Sequence, residues 1–271
     1  MYNDFYGFRE SPFNITPDPR FLFLSQKHRE AINHLLFGLL QRKGFIQLTG
    51  EVGTGKTTIC RLLLQELPRT FHTALILNPC LSETQLLRSI LEEFGVKPPR
   101  RDDRVALLRT LNDFLLEQLS TGHDVVLIID EAQDMTFELL EQVRLLSNLE
   151  TDQRKLLQIV LIGQPELRRK LEDPRVRQLR QRITVRYHLR PLTLAETRQY
   201  VRQRLHTAGG NGEPRFTPLA LWRMYRYAQG IPRLINAACD KSLLAGYVAG
   251  EKVLSFRSVG RALRELEGLA A

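Results

Sequence analysis

The stretch Gly50-Glu51-Val52-Gly53-Thr54-Gly55-Lys56-Thr57-Thr58 sets glycines, a lysine and hydroxyls at the spacing G-x-x-x-x-G-K-[ST]. Those residue types share one chemistry. Glycines let backbone N–H groups turn toward phosphate oxygens, Lys56 reaches the β- and γ-phosphates of a nucleoside triphosphate, and the Thr57 hydroxyl ligates Mg²⁺ at a helix N-terminus. Further along, the run Val125-Val126-Leu127-Ile128-Ile129 ends in Asp130-Glu131. A carboxylate at the carboxyl end of a buried strand can organise a Mg²⁺ water shell, which is the role read for Asp130, while Glu131 is the candidate for polarising an attacking water. Two acids after five apolar residues also describe a strand running into solvent. The upstream loop is what turns that plain feature into a candidate site.

Chemistry of this kind needs strands and helices to aim it, and the pattern supplies them. Phe45–Thr49 reads as a strand entering the glycine loop, and Ile59–Leu67 as the helix leaving it, with Leu62, Leu63 and Leu67 on one side. Ala74–Leu77 reads as a second buried strand. Ser82–Gln85 has capping-box spacing ahead of a helix whose apolar face is Leu86, Leu87, Ile90, Leu91 and Phe94. Pro98 and Pro99 make Lys97–Arg104 a loop, Val105–Leu119 and Phe137–Leu149 have helical spacing, and Leu157–Ile162 and Ile183–Tyr187 read as strands. Strands alternating with helices predict a parallel sheet sandwiched by helices. After Pro191 the pattern turns helical: a capping box at Thr193–Glu196 opens a helix to about Ala208, Gly209–Gly212 breaks it, and three helical segments follow near Pro218–Ala228, Arg233–Ala249 and Phe256–Leu266, with no strand. The expected organisation is an α/β nucleotide-binding domain over residues 1–191 and a small all-α lid domain over residues 192–271.

The chain has 271 residues, 43% hydrophobic and 25% charged, the balance of an ordinary globular protein and not of a disordered or collagenous one. Its apolar runs are far shorter than the roughly 18 residues of a membrane span, and its opening lacks the basic-then-apolar order of a signal peptide. The expected location is therefore the cytoplasm. Cys60, Cys80 and Cys239 make neither a disulfide framework nor a CxxC metal site. Thirty-nine Lys and Arg against 30 Asp and Glu leave a formal charge of +9, which favours anionic partners. Nine basic residues lie between Arg168 and Arg190 against only Glu172 and Asp173. That stretch is either a solvated basic face or a surface that meets phosphate, from nucleotide or from DNA.

Taken together, GEVGTGKTT, VVLIIDEAQ, IVLIGQPEL, LRQRI and GIPRLIN resemble the AAA+ ATPases of the P-loop class, and within them the general secretion pathway protein A (ExeA) group and its transposition-helper relatives. The opening FYGFRESPFNITPDPRFLFLS, followed by a helix containing Lys27-His28, resembles that group's N-terminal signature. The resemblance implies an ATPase using ATP/ADP and Mg²⁺, working as a homo-oligomer. By position it assigns a polar sensor to Gln164, where the family more often has Asn, Ser or Thr. It assigns the finger that reaches a neighbouring subunit's γ-phosphate to Arg182, with Arg180 as runner-up, and the lid arginine that contacts phosphate in the same chain to Arg233, which Pro232 aims by fixing the first turn of its helix. It also implies an energy-providing role in type II secretion with a membrane partner protein. The membrane span and periplasmic peptidoglycan-binding region that follow in that group have no counterpart in these residues, so the chain reads as the cytoplasmic part of an inner-membrane protein or as a shorter relative. The transposition-helper relatives imply instead a DNA-dependent ATPase with the Arg168–Arg190 stretch on DNA. Phe5, Tyr6, Phe8, Phe13, Phe21 and Phe23, stiffened by Pro12, Pro17 and Pro19, are expected to pack along the sheet edge, either as plain core or as a wall of the adenine pocket.

Overall fold

The structure, a computed structural model, describes residues 1–14, 19–100, 103–151, 155–210, 212 and 214–268. Pro17, two residues of the expected Lys97–Arg104 loop (101 and 102), Asn211 of the expected Gly209–Gly212 break and the last three residues of the lid lie outside them. In chain order the elements begin with α1 (Tyr2–Tyr6), α2 (Gln26–Leu40), β1 (Phe45–Gly50), α3 (Lys56–Glu66), β2 (Phe71–Ile76), α4 (Glu83–Glu93), α5 (Arg104–Ser120), β3 (Asp124–Ile129) and α6 (Phe137–Leu146). They continue with β4 (Leu157–Gly163), α7 (Pro165–Leu171), α8 (Arg177–Arg182), β5 (Ile183–Leu189), α9 (Leu194–Thr207), β6 (Arg215–Phe216), α10 (Pro218–Ala228), α11 (Pro232–Val248), β7 (Val253–Leu254) and α12 (Phe256–Leu266).

Residues His28–Gly50 and Lys56–Leu189 form one compact unit. Its five strands run in the order β2-β3-β4-β1-β5, and every pairing is parallel. The central strands β1, β3 and β4 are buried almost throughout, as strands covered on both faces must be, and this is why they read as unbroken apolar runs. The edge strands β2 and β5 alternate between buried and accessible residues. That corrects the expectation of a second buried strand at Ala74–Leu77: the strand is Phe71–Ile76, it lies at the sheet's edge, and Leu77 beyond it is 57% exposed. One layer of the core joins Phe45, Leu127, Ile129, Leu157, Ile159 and Leu161 to Leu86, Ile90, Leu107, Leu111, Leu140 and Val143. Register matters for function. Thr49 pairs with Gly163 and Ile129 with Leu161, so the loops leaving β1, β3 and β4 emerge at the same edge of the sheet.

The second compact unit comprises Met1–Lys27, Glu51–Gly55 and Arg190–Ala271. Its core gathers Leu192, Tyr200, Val201, Leu221, Met224, Ile235, Cys239, Leu243 and Val259, together with Tyr6, Phe8, Phe13 and Phe21 of the opening segment. The expected packing of that segment along the sheet edge, and its grouping with residues up to 191, are thus corrected. The aromatic rings of the opening segment add apolar surface to this core. Polar contacts pin the segment: Tyr6 donates through its hydroxyl to the carbonyls of Leu243 and Glu251 at 3.1 and 3.0 Å, and buried Arg204 donates to the carbonyls of Pro12 and Asn14 at 2.6 and 3.1 Å. Burial pushes the Tyr6 phenol up to about 12. The capping boxes expected at Ser82 and Thr193 are both formed. The region after Pro191 is not wholly helical, because β6 and β7 make a two-residue parallel pair.

Candidate functional site

β1 delivers Gly50 to the sheet edge, and α3 begins at Lys56. Between them Gly53 and Gly55 take φ values of +79° and +101°, backbone that favours glycine and lets consecutive amides turn to one side. Thr54, 1% exposed, braces the turn by donating from its hydroxyl to the Glu51 carbonyl at 2.8 Å. The Lys56 side chain is buried and its Nζ donates to the Gly50 carbonyl at 2.9 Å, doubling back over the loop it follows. Thr58 sits in the first turn of α3, one residue beyond Thr57.

Asp130 leaves β3 at the same edge. Its backbone N–H donates to the Ile76 carbonyl at 2.8 Å, and its carboxylate accepts from the Thr57 hydroxyl at 3.0 Å and from the Glu131 backbone N–H at 2.9 Å. Asp130 is 3% exposed, and burial raises its carboxyl above the ordinary range despite those hydrogen bonds, which pull the other way. A hydroxyl and a buried carboxylate brought together are the hard oxygen donors that a small divalent cation takes. These residues therefore fit Mg²⁺.

Glu131 follows with φ +50°, a left-handed conformation that costs a non-glycine residue about 1 kcal/mol. The turn swings its carboxylate toward two amides. Oε2 accepts from Gln133 Nε2 at 2.8 Å and from Gln164 Nε2 at 3.2 Å, while Gln133 Oε1 accepts the Gln164 backbone N–H at 3.0 Å. The small Gly163 permits this closeness, since a Cβ there would stand 2.8 Å from Gln133 Oε1. Lys170 of α7 closes the short 3-10 turn Ala132–Asp134 by donating from Nζ to the carbonyls of Gln133 and Met135, at 2.5 and 2.6 Å.

The structure thus brings Lys56, Thr57, Asp130, Glu131 and Gln164 to one edge of the sheet. Gln133 is an addition to which the sequence assigned no role, and Lys170, counted there with the basic stretch, braces this turn instead. Gln133 stands two residues past Glu131 within the quoted DEAQ string, but only the 3-10 turn folds it back onto the carboxylate. Arg182, the expected finger, ends α8 and donates to the Ser147 hydroxyl of its own chain at 2.5 Å, whereas Arg180 is exposed. In the helical unit, Arg233 stands in the first turn of α11 after Pro232, exposed, with its backbone N–H 3.4 Å from the Gly53 carbonyl. A Cβ on Gly53 would meet the Arg233 Cβ at 2.6 Å, so glycine is what admits this approach.

Comparison with known proteins bears on the family and the fold. A family model described as an AAA domain matches residues 39–171. General secretion pathway protein A of Aeromonas hydrophila is 49% identical over 270 residues, 99% of this chain and 49% of that protein, so the chain spans about half the length of that relative. Among solved structures, the ADP form of the Aeropyrum pernix ORC2 protein matches with a TM-score of 0.69 at 19% identity, covering 97% of this chain and 75% of that one. Cdc6p from Pyrobaculum aerophilum matches with 0.68 at 20% identity (94% and 70%), and the RuvB branch migration motor of Thermotoga maritima with 0.55 at 16% (90% and 70%). At such identities the structural likeness speaks for the fold, a parallel sheet flanked by helices with a helical region after it.

Proposed function

We propose that this chain, whose residues 39–171 match an AAA domain, is an ATPase that binds Mg–ATP on the Gly50–Thr58 loop and hydrolyses it to drive conformational change in an assembly. The observation that carries this reading is the 3.0 Å hydrogen bond between Thr57 of the glycine loop and Asp130 at the end of β3, because it joins the phosphate-binding element to a carboxylate 73 residues away in the chain. Backbone amides of residues 50–58 cradle the phosphates, and Lys56 exchanges the Gly50 carbonyl for a phosphate oxygen. Thr57 and Asp130 would hold Mg²⁺, which when bound would supply charge neutralisation for the phosphates. Glu131 orients the attacking water through the carboxylate oxygen not committed to amides, and Gln133 and Gln164 act as positioning residues that hold Oε2. Arg233 contacts phosphate from the same chain. In a homo-oligomer Arg182 reaches the γ-phosphate of a neighbour, giving up Ser147 to do so; Arg180 is the alternative.

The likeness to General secretion pathway protein A supports a place in a general secretion pathway, with a membrane-associated partner. Among the described residues no helix is long and apolar enough to cross a membrane. A second reading, a DNA-dependent ATPase, draws on the basic stretch from Arg168 to Arg190. ATP turnover and Mg–ATP affinity measured on two variants test the core proposal. Lys56→Ala should lose affinity, whereas Glu131→Gln should keep it and lose turnover by at least about a hundredfold. Full-rate hydrolysis by Glu131→Gln would remove it as the water-orienting group.

A further inference from the structure

The nine basic residues between Arg168 and Arg190 do not share one face. Lys170 turns inward onto the Gln133 and Met135 carbonyls and Arg182 onto Ser147. Arg175 lies over the Phe137 ring, 3.5 Å from its centroid, and pairs with Asp173 at 3.0 Å. Arg168 of α7, Arg180 of α8 and Arg186 of β5 converge instead, lining one cavity of about 260 Å³ in the sheet unit. Its lining includes Thr49 of β1 and His188 of β5, paired across the ladder with Thr49 Oγ1 3.1 Å from His188 Nδ1.

Charge in this cavity is not balanced. Glu172 is the carboxylate lining it, and its oxygen lies 3.7 Å from Arg168, with both side chains more than half exposed, a pair that solvent leaves with little energy. Arg186 places its Nη2 on the Arg180 carbonyl at 2.6 Å, which ties β5 to the end of α8 and holds the two arginines side by side. Among the described residues no acceptor engages the Arg180 guanidinium. Three guanidinium groups from three separate elements around one concavity repel one another unless an anion lies between them. Their planar donor forks match tetrahedral oxyanions, for which bidentate contacts are roughly twice as strong as neutral hydrogen bonds. The Thr49 hydroxyl and the His188 imidazole in the lining add polar partners.

We propose that this cavity is an oxyanion site that takes a phosphate group, held by Arg168, Arg180 and Arg186. No residue of the Gly50–Thr58 loop lines it, and the proposal does not rest on the nucleotide reading. The group arrives either on a small phosphate or on a phosphodiester backbone, and the experiment distinguishes them. Pyrophosphate is titrated calorimetrically, at about 50 mM salt where phosphate contacts are not screened out, into protein saturated with Mg–ADP so that the loop is filled. One further equivalent should bind. The Arg180→Gln/Arg186→Gln variant should weaken it at least tenfold, while Arg175→Gln, whose charge is already paired outside the cavity, should change it less than twofold. Displacement by a short DNA duplex, with an affinity that falls steeply with salt, assigns the group to a nucleic-acid backbone; retention of pyrophosphate beside the duplex assigns it to a small phosphate. Absence of any binding to the ADP-loaded protein, or equal weakening by Arg175→Gln, overturns the proposal. Melting curves of the variants guard against misfolding. The same titration on Lys56→Ala, with the loop disabled, separates failure of this site from failure of the nucleotide reading.

Discussion

Replacing Gln133 by leucine probes how Glu131 is held. The side chain is 8% exposed and makes three hydrogen bonds: to Glu131 Oε2 at 2.8 Å, to Asp134 Oδ2 at 3.2 Å, and from the Gln164 backbone N–H at 3.0 Å. Leucine keeps much of the volume and removes all three. Bonds to charged groups contribute about 1.5–3 kcal/mol each, and a buried N–H left without an acceptor costs about 1–3 kcal/mol. Solvent reaches Asp134 and part of Glu131, so the expected loss of stability is nearer about 2–4 kcal/mol than the sum. Catalysis should suffer in a different pattern. With one amide instead of two on Oε2, and with the turn that carries that second amide loosened, the carboxylate samples orientations away from the water. A barrier rise of about 1.4–2.8 kcal/mol corresponds to a ten- to hundredfold fall in kcat. Mg–ATP affinity should stay within about threefold, because the phosphate loop and Asp130 are untouched. Steady-state hydrolysis, nucleotide binding by fluorescence and thermal melting report the three quantities separately. Gln164→Leu removes only the 3.2 Å partner and should cost less, and the double variant should be non-additive because both amides serve one oxygen. A folded Gln133→Leu protein with unchanged kcat would show that Glu131 needs no such support. A raised kcat would mean that the amides restrain the carboxylate instead of aiming it.

Asp130→Asn should separate stability from function. Because burial raises the folded-state pKa, ionised Asp130 opposes folding: its unfavourable contribution is absent below the unfolded-state value and grows as pH rises through the folded-state one. The amide variant should therefore melt higher at neutral pH, with the gain shrinking below about pH 4, while Mg²⁺-dependent nucleotide binding is lost; a lower melting point at neutral pH would contradict the assignment of burial as the dominant effect. Gly230 has φ +75°, and a Cβ there would stand 2.0 Å from the Leu192 carbonyl oxygen, so Gly230→Ala should cost well over about 1 kcal/mol in the helical unit, checked by denaturant unfolding.

Much of the sheet unit was legible because its signals are local. Unbroken apolar runs became β1, β3 and β4, and the glycine loop and the Asp130-Glu131 pair lie next to their strands in sequence as in space. The capping boxes at Ser82 and Thr193 were readable for the same reason, since three residues suffice to satisfy the first amides of a helix. The misreadings concern partners distant in the chain. Aromatic residues of the opening advertise burial but not the surface that buries them, and β6 with β7 is too short a pair to leave a periodic signature.

By itself, then, the sequence determined the chemistry on offer at the sheet edge: a glycine loop of the type that suits phosphate, which carboxylates follow, and the alternation of strands and helices that aims them. Only the tertiary structure decided that Gln133 and Gln164 share one oxygen of Glu131, that Lys170 and Arg182 turn inward while Arg168, Arg180 and Arg186 converge on a cavity, and that the opening segment completes the helical core. The physical reason is that residue type and spacing specify what a side chain can bond, whereas the choice among competing partners is made by close packing, which brings together groups that lie far apart along the chain.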